Sequence, residues 1–123
     1  MTKRDLAVPY KHSGMNCCQA VLAAYAEELE MEPAEAKKLG AAFGAGMGGM
    51  QGTCGALIGA EMALGLREYK GRPIGARARS VYSDFAQRCG AVNCIDIKGV
   101  LTGRMLCSCD DCVRNAVDIL EGD

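Results

Sequence analysis

Residues 53–69 read TCGALIGAEMALGLREY, and this stretch decides the fold class. It is predicted to form a helix whose apolar side chains are Leu57, Ile58, Met62 and Leu66. Gly55 and Gly59 are four residues apart and therefore share one face of that helix, with Gly52 just before it. A glycine inside a helix costs about 1 kcal/mol relative to alanine. Something should offset that cost, and the sequence leaves open whether it is an ordinary helix crossing or a pocket for a bulky group.

Apolar spacing predicts further helices on both sides of this stretch. Within 15–30 the apolar residues recur at i, i+3, i+4, i+7 and i+11. A proline suits the first position of a helix, so Pro33 is predicted to begin a short one. The predicted helices are 15–30, 33 to about 43, 53–69, 77–88 and 109–121, with a helical turn at 94–97. No stretch alternates like a strand, so we predict an all-α fold in one domain over 1–123: a compact bundle of four main helices plus short helices, with a glycine-rich loop at 44–52.

Composition limits the classes of function. The 123 residues carry a net charge of −1, which argues against nucleic acid as a general partner. No apolar run has the roughly 18 residues of a membrane helix, and the first residues lack the apolar segment of a signal peptide. A cytoplasmic protein that does not bind membranes is therefore expected. Half of the residues are hydrophobic, which is compatible with a homodimer but does not require one.

Four of the eight cysteines directly follow a residue that favours helix caps. The pairs are Asn16-Cys17, Thr53-Cys54, Asn93-Cys94 and Ser108-Cys109. A side-chain oxygen of Asn, Thr or Ser can accept a free backbone N–H of the first helical turn. The cysteine that follows would sit at the positive end of the helix dipole, where thiolate is favoured over thiol. Thiolate is both the nucleophile and the metal ligand, so the pattern predicts redox or metal chemistry at these four positions.

The remaining cysteines and the single histidine limit the kinds of site that the chain can form. In a reducing compartment, many cysteines indicate metal binding, a cluster or catalytic thiols. One histidine, His12, excludes a zinc finger with two histidines. Cys109 and Cys112 form a C-x-x-C pair at a predicted helix start, a spacing that suits a redox dithiol or two metal ligands. The roles of the other cysteines stay open: Cys18, Cys89, Cys107 and Cys112.

The loop Gly44-Ala45-Gly46-Met47-Gly48-Gly49 formally matches the dinucleotide-binding pattern G-x-G-x-x-G. That pattern requires a preceding strand, whereas a helix precedes it here, so nucleotide binding is not predicted. Small residues instead let backbone and thiols approach Cys54, or a cofactor bound there. We therefore predict Gly52, Gly55 and Gly59 as cofactor-binding positions.

These motifs resemble the C-GCAxxG-C-C family of putative redox-active proteins over nearly the whole chain. The resemblance rests on Asn16-Cys17 with Gln19-Ala20-Val21-Leu22, on Phe43-Gly44 through Thr53-Cys54-Gly55-Ala56-Leu57-Ile58-Gly59, on Asn93-Cys94, and on Cys109 ahead of Val113-Arg114-Asn115-Ala116. It implies a small helical protein with a suspected redox role and four signature cysteines. Carried over by motif, these are Cys17, Cys54, Cys94 and Cys109. Two departures are that Cys54 precedes Gly55-Ala56, where the family label has glycine first, and that the chain carries four additional cysteines.

The leading hypothesis is a redox-active protein in which those four thiols converge on one pocket beside the glycine loop. They would either hold an iron–sulfur cluster or cycle between dithiol and disulfide, and the sequence does not separate these versions. Either version suits an oxidoreductase or an electron-transfer component, with a redox protein or a small thiol as its partner. One alternative is a structural zinc-binding interaction module without redox activity. Another is a plain helical scaffold with incidental cysteines.

Overall fold

The computed structural model describes residues 2–122, which form seven helices. They are α1 (Lys3–His12), α2 (Cys17–Ala24), α3 (Pro33–Gly40), α4 (Gly55–Glu68), α5 (Gly75–Cys89), α6 (Cys94–Lys98) and α7 (Cys109–Glu121). Within these described residues, the only β-type pairing is a single antiparallel bridge between Thr53 and Asn93. The all-α prediction is confirmed. The bundle of four main helices is not, because three helices have 13 to 15 residues and the others have 5 to 10.

Two predictions need correction near the N-terminus: one helix was missed, and another is shorter than predicted. The helix α1 was not predicted, although Thr2 and Asp5 form the capping box that begins it. The helix predicted over 15–30 ends at Ala24, where the backbone N–H groups of Tyr25 and Ala26 donate to carbonyls three residues back. The hydroxyl of Tyr25 donates to Glu121 on α7 over 3.0 Å. The apolar periodicity predicted a helix that continues past Tyr25, and the packing of Tyr25 against α7 overrides it.

The helices α2 and α4 cross at the glycines of the opening stretch. A Cβ on Gly59 would lie 2.8 Å from the carbonyl oxygen of Cys18, and one on Gly55 would lie 2.6 Å from the carbonyl oxygen of Phe43. The close crossing of two helices, one of the two explanations for these glycines, is confirmed. It places the first turn of α2 against the start of α4.

None of the helices among residues 2–122 combines the length and the apolar character that crossing a bilayer requires.

Candidate functional site

The four signature cysteines all lie at helix starts. Cys17, Cys94 and Cys109 are the first residues of α2, α6 and α7. The caps differ from one helix to the next: the side chains of Asn16 and Ser108 accept a backbone N–H, whereas Asn93 makes no such bond.

The predicted cap Thr53 is wrong, because Cys54 itself is the residue that caps α4. Thr53 is instead paired with Asn93 in the bridge, and the backbone N–H of Cys54 donates to the carbonyl of Val92 over 2.7 Å. This pairing shifts the helix start by one residue.

The glycine loop holds the starts of α4 and α6 side by side. The backbone N–H of Cys94 donates to Gly52 over 2.9 Å, and that of Ile95 donates to Met50 over 2.7 Å. Gly46 has a φ of +63°, and a Cβ there would lie 2.7 Å from the Cβ of Cys94. Glycine is therefore required at this position both by its left-handed backbone and by the close approach of a signature cysteine.

The four signature thiols all interact electrostatically with one ammonium, that of Lys98 at the end of α6. We call Cys17, Cys54, Cys94, Cys109 and Lys98 the Lys98 group. The Nζ atom is buried, and in the part of the chain described it has no nitrogen or oxygen partner. Burial acts to lower the pKa of Lys98, but the thiols of Cys109, Cys112 and Cys54 outweigh it and raise that pKa. The ammonium thus stays charged although it is buried.

Cys54 has the lowered pKa expected at a helix N-terminus. A hydrogen bond from the Cys112 thiol is the main cause, and it outweighs burial. The backbone N–H groups of Ala56 and Leu57 and the charge of Lys98 add to it, and the pKa of Cys54 falls to about 6. The thiolate is therefore its main form at neutral pH.

The expectation of a favoured thiolate is wrong for Cys17 and Cys94. Burial raises the pKa of Cys17 to about 12, helped by the neighbouring thiols of Cys109 and Cys54. Burial also raises the pKa of Cys94. Loss of hydration and like charge outweigh the helix dipole at these two positions.

A second group of thiols, which the sequence did not predict, lies beside α7. The Sγ atoms of Cys89, Cys107 and Cys112 are all within 4.8 Å of one another. The side-chain amide of Asn115 donates to Cys89 over 3.4 Å and to Cys107 over 3.8 Å. We call these four residues the Asn115 group. Its three thiols are close enough to bind one metal ion together.

The thiols of the Asn115 group also differ in acidity. Hydrogen bonding from Cys112, and then from Asn115, outweighs burial and lowers the pKa of Cys89 to about 7. Burial raises the pKa of Cys107 to about 11. Cys112 lies between Cys54 and Cys89, and its hydrogen bonds to both raise its pKa far above the ordinary range. Cys112 therefore stays protonated and links the two groups.

The signal for the Asn115 group was weak in the sequence. The C-x-x-C pair drew attention to Cys112, but the Cys112 thiol contacts Cys54 and Cys89. Cys112 and Asn115 are three residues apart and so share a helix face, which is the one local clue. The remaining cysteine, Cys18, is fully buried with its Sγ 3.9 Å from Met62 Sδ, in line with a role as a small apolar side chain.

The three glycines predicted to contact a cofactor lie against protein atoms. A Cβ on Gly52 would lie 2.7 Å from the carbonyl oxygen of Gly46 in the same loop. Gly55 and Gly59 lie against backbone, as described for the crossing of α2 and α4. Contact of these positions with a cofactor stays a prediction.

Comparison with known proteins places this site in a family. No curated protein and no solved structure matched the chain. One family model, described as "Putative redox-active protein (C-GCAxxG-C-C)", matches residues 15–122, a range that contains all eight cysteines. With thiols gathered at four helix starts and that match over most of its length, the chain belongs to the C-GCAxxG-C-C family of putative redox-active proteins.

Proposed function

We propose that this protein is a thiol–disulfide redox protein whose internal redox pair is Cys54 and Cys112. The observation that carries the proposal is the position of Cys112. Its thiol lies within 4.8 Å of the thiols of Cys89 and Cys107, and hydrogen bonding with it lowers the pKa of Cys54. A thiolate exchanges partners by attacking a sulfur of an existing disulfide. Once the disulfide of a partner has oxidised two of these four adjacent thiols, the new disulfide can therefore pass between them.

A disulfide can move along this path. Cys54 is only 3% exposed, so a partner reaches it through the neighbouring thiols. When Cys112 is bonded to Cys89 as a disulfide, the Cys54 thiolate attacks the sulfur of Cys112. A Cys54–Cys112 bond forms, the Cys89–Cys112 bond breaks, and Cys89 leaves as a thiolate. The side-chain amide of Asn115 donates to the sulfur of Cys89 over 3.4 Å and stabilises the departing thiolate.

The other signature residues support this chemistry from around Lys98. The positive charge of the ammonium acts on the thiols of Cys17, Cys54 and Cys94 and favours their anionic form. Cys17 and Cys109 are half-buried, so they open the Lys98 group toward a partner. We retain the four signature cysteines as the proposed redox residues and add Cys112 to them.

A second candidate function is metal binding, because the thiols of the Asn115 group are so close together. Thiolates around one zinc ion, with Zn–S of about 2.3 Å, would be about 3.8 Å apart in a tetrahedron. Sulfurs within 4.8 Å of one another need only a small contraction. A zinc module without redox activity is the corresponding structural alternative.

An iron–sulfur cluster would use the Lys98 group instead. Cys17, Cys54, Cys94 and Cys109 would hold it, and it would supply one-electron transfer. Four thiols are a suitable donor set, and the buried ammonium, whose neighbours are sulfur atoms, would offset the negative charge of such a cluster.

One preparation separates these functions. The protein is purified without oxygen, its visible spectrum is recorded, and iron, acid-labile sulfide, zinc and titratable thiols are counted before and after treatment with diamide and then with a reductant. The proposal predicts a colourless, metal-free protein that loses thiols in pairs and regains them. Cys54→Ala should lose one of these pairs. The matched control Cys18→Ala should keep every pair, since Cys18 lies outside both groups.

Two results would overturn the proposal. Iron and sulfide in matching amounts would make the protein a cluster carrier. Zinc alone, with thiols that diamide does not oxidise, would make it a structural module.

A further inference from the structure

An open cavity of about 360 Å³ lies beside Cys107 and is rich in positive charge. Three arginines and one aspartate are among its lining residues: Arg4, Arg88, Arg114 and Asp111. The residues from Met105 to Ser108 also line it. The cavity is on the solvent side of the Asn115 group.

One of these arginines has no counter-charge. Arg114 pairs with Asp111 over 2.9 Å, and Arg4 pairs with Asp118 over 3.1 Å. Arg88 makes no ion pair within residues 2–122. A guanidinium presents a planar set of donors that matches a carboxylate, so the cavity offers one open position for an anion.

The two sulfurs next to this cavity differ in access. Cys107 is half-buried and lines the cavity, whereas Cys89 is 1% exposed behind it. Their Sγ atoms lie within 4.8 Å of each other, and the amide of Asn115 donates to both. If these two sulfurs were joined, a molecule in the cavity would reach Cys107, and Cys89 would be the sulfur displaced.

We propose that this cavity binds a low-molecular-weight thiol that carries a carboxylate, and that this thiol reduces a Cys89–Cys107 disulfide. The inference rests on the proposed function, which supplies the Cys89–Cys112 disulfide. The Cys107 thiolate attacks the sulfur of Cys89 in that disulfide, the Cys89–Cys107 bond forms, and Cys112 leaves as a thiolate that takes up a proton. A volume of about 360 Å³ is at the lower end of sites for small molecules, typically about 300–1,000 Å³, and so suits such a compound.

The reaction balances over two steps. The thiolate of the first molecule attacks the sulfur of Cys107, the Cys89–Cys107 bond breaks, and Cys89 leaves as a thiolate that the Asn115 amide stabilises. A second thiolate attacks the sulfur of the first molecule in the mixed disulfide. The small disulfide departs, and Cys107 is released as a thiolate. Two electrons pass from the two small thiols to the protein, and their two protons end on Cys89 and Cys107.

The test compares three thiols of similar size and different charge. Diamide-oxidised protein is treated with 3-mercaptopropionate, 2-mercaptoethanol or cysteamine, which are anionic, neutral and cationic. Each rate is divided by the rate of the same thiol with a small uncharged disulfide, which removes intrinsic nucleophilicity. We expect 3-mercaptopropionate to react fastest on this scale, and early acid quenching with peptide mass spectrometry to find the mixed disulfide on Cys107.

Matched arginine variants test the recognition. Arg88→Gln should lower the preference for 3-mercaptopropionate over cysteamine about five-fold at low salt, and added salt should reduce the effect. Arg79→Gln is the control, because Arg79 is exposed on the same helix and does not line the cavity. Any of three results would overturn the inference. They are an equal preference in wild type and both arginine variants, a mixed disulfide on another cysteine, and diamide-oxidised protein without a Cys89–Cys107 bond.

Dithiothreitol, an uncharged reductant, keeps the two proposals apart. If the proposed function holds, wild-type protein should lose the Cys54 and Cys112 thiols to diamide and regain them with dithiothreitol, whether or not the cavity binds acidic thiols. Failure of wild-type protein to complete that cycle would count against the proposed function itself.

Discussion

The Lys98 group and the Asn115 group are built from the same side chain and differ in what stabilises the anion. In the Lys98 group the thiols share a buried ammonium, a positive charge that acts on several sulfurs at once. In the Asn115 group a neutral amide donates to two sulfurs at 3.4 and 3.8 Å. A charge acts over a longer distance than a hydrogen bond, so Lys98 acts on the thiols of Cys17, Cys54 and Cys94, whereas the Asn115 amide lowers the pKa of Cys89.

The comparison shows that burial raises the pKa of a thiol in this site unless a hydrogen-bond donor contacts its sulfur. Cys17 begins a helix near Lys98, yet burial raises its pKa to about 12. Cys54 and Cys89 are also buried, yet hydrogen bonding with the Cys112 thiol outweighs burial at each, and their pKa values fall to about 6 and about 7. The residue shared by both groups therefore has the largest effect on each of them.

The largest expected effect is that of Cys112→Ala, which removes the contact shared by both groups. The pKa of Cys54 should rise from about 6 toward the ordinary thiol value of about 8.5, and that of Cys89 should rise as well. The Cys54 thiolate is present above its pKa and lost as the pH falls through it. At pH 7 its fraction should therefore fall about 30-fold. A pH titration of thiolate ultraviolet absorbance measures this.

Cys112→Ser is the matched control for this variant, because its hydroxyl can still donate. It should keep most of the acidity of Cys54. If the alanine and serine variants titrate alike, the hydrogen bond from Cys112 is not the cause of the lowered pKa.

A change at the crossing of α2 and α4 should disturb only the Lys98 group. In Gly59→Ala the new methyl would lie 2.8 Å from the carbonyl oxygen of Cys18, so α2 must move away from α4. Overpacking of this kind costs about 1–3 kcal/mol of unfolding free energy, which denaturant unfolding measures. Gly65→Ala is the control: no atom lies within 4 Å, and loss of a helical glycine should stabilise the protein by up to about 1 kcal/mol. Equal stability changes in the two variants would contradict the close crossing.

Removing the ammonium should affect Cys54 and spare Cys89. Lys98→Met takes away a charge that lowers the pKa of Cys54, and no effect of Lys98 is resolved on Cys89. Because Lys98 is a smaller cause than Cys112, the thiolate fraction of Cys54 near its pKa should fall by less than about tenfold. The same absorbance titration, with Lys98→Arg as the variant that keeps the charge, checks this. A shift of Cys89 as large as that of Cys54 would mean that the two groups are not separate.

The smallest expected effect is that of Asn115→Ala, which should affect Cys89 and spare Cys54. Loss of a neutral donor at 3.4 Å should raise the pKa of Cys89 and reduce its thiolate fraction at pH 7 a few-fold, with Cys54 unchanged. Alkylation of Cys89 followed by peptide mass spectrometry provides the measurement. Asn115→Gln retains an amide and is the reference, and a Cys89 rate that is the same in both variants would exclude a role for this amide.

The sequence predicted the parts of this site that depend on local rules. The helix over 109–121 matches α7, and the cap rule placed four cysteines at helix starts. The cap rule chose Thr53 where Cys54 itself is the cap, because the bridge between Thr53 and Asn93 joins residues far apart in the chain. The dipole argument gave the correct direction for Cys54 and the wrong one for Cys17 and Cys94, since it contains no cost of burial.

The Asn115 group could not be predicted because a loop path brings it together. Between α6 and α7, Gly99 has a φ of +70°, and a Cβ there would clash with the backbone of Arg104. The N–H of Leu106 donates to the carbonyl of Ile97 over 2.8 Å, which turns the chain so that Cys107 meets the end of α5. No local pattern in the sequence encodes that meeting of Cys107 with Cys89.

The most direct test of the account is to map the disulfides of wild-type protein equilibrated at stepped redox potentials. Thiols are trapped at each potential, and peptide mass spectrometry identifies which sulfurs are joined. The account predicts a Cys54–Cys112 disulfide that appears on oxidation and disappears on reduction in a single two-electron step. Oxidation that joins other cysteines while Cys54 stays a free thiol at every potential would contradict it.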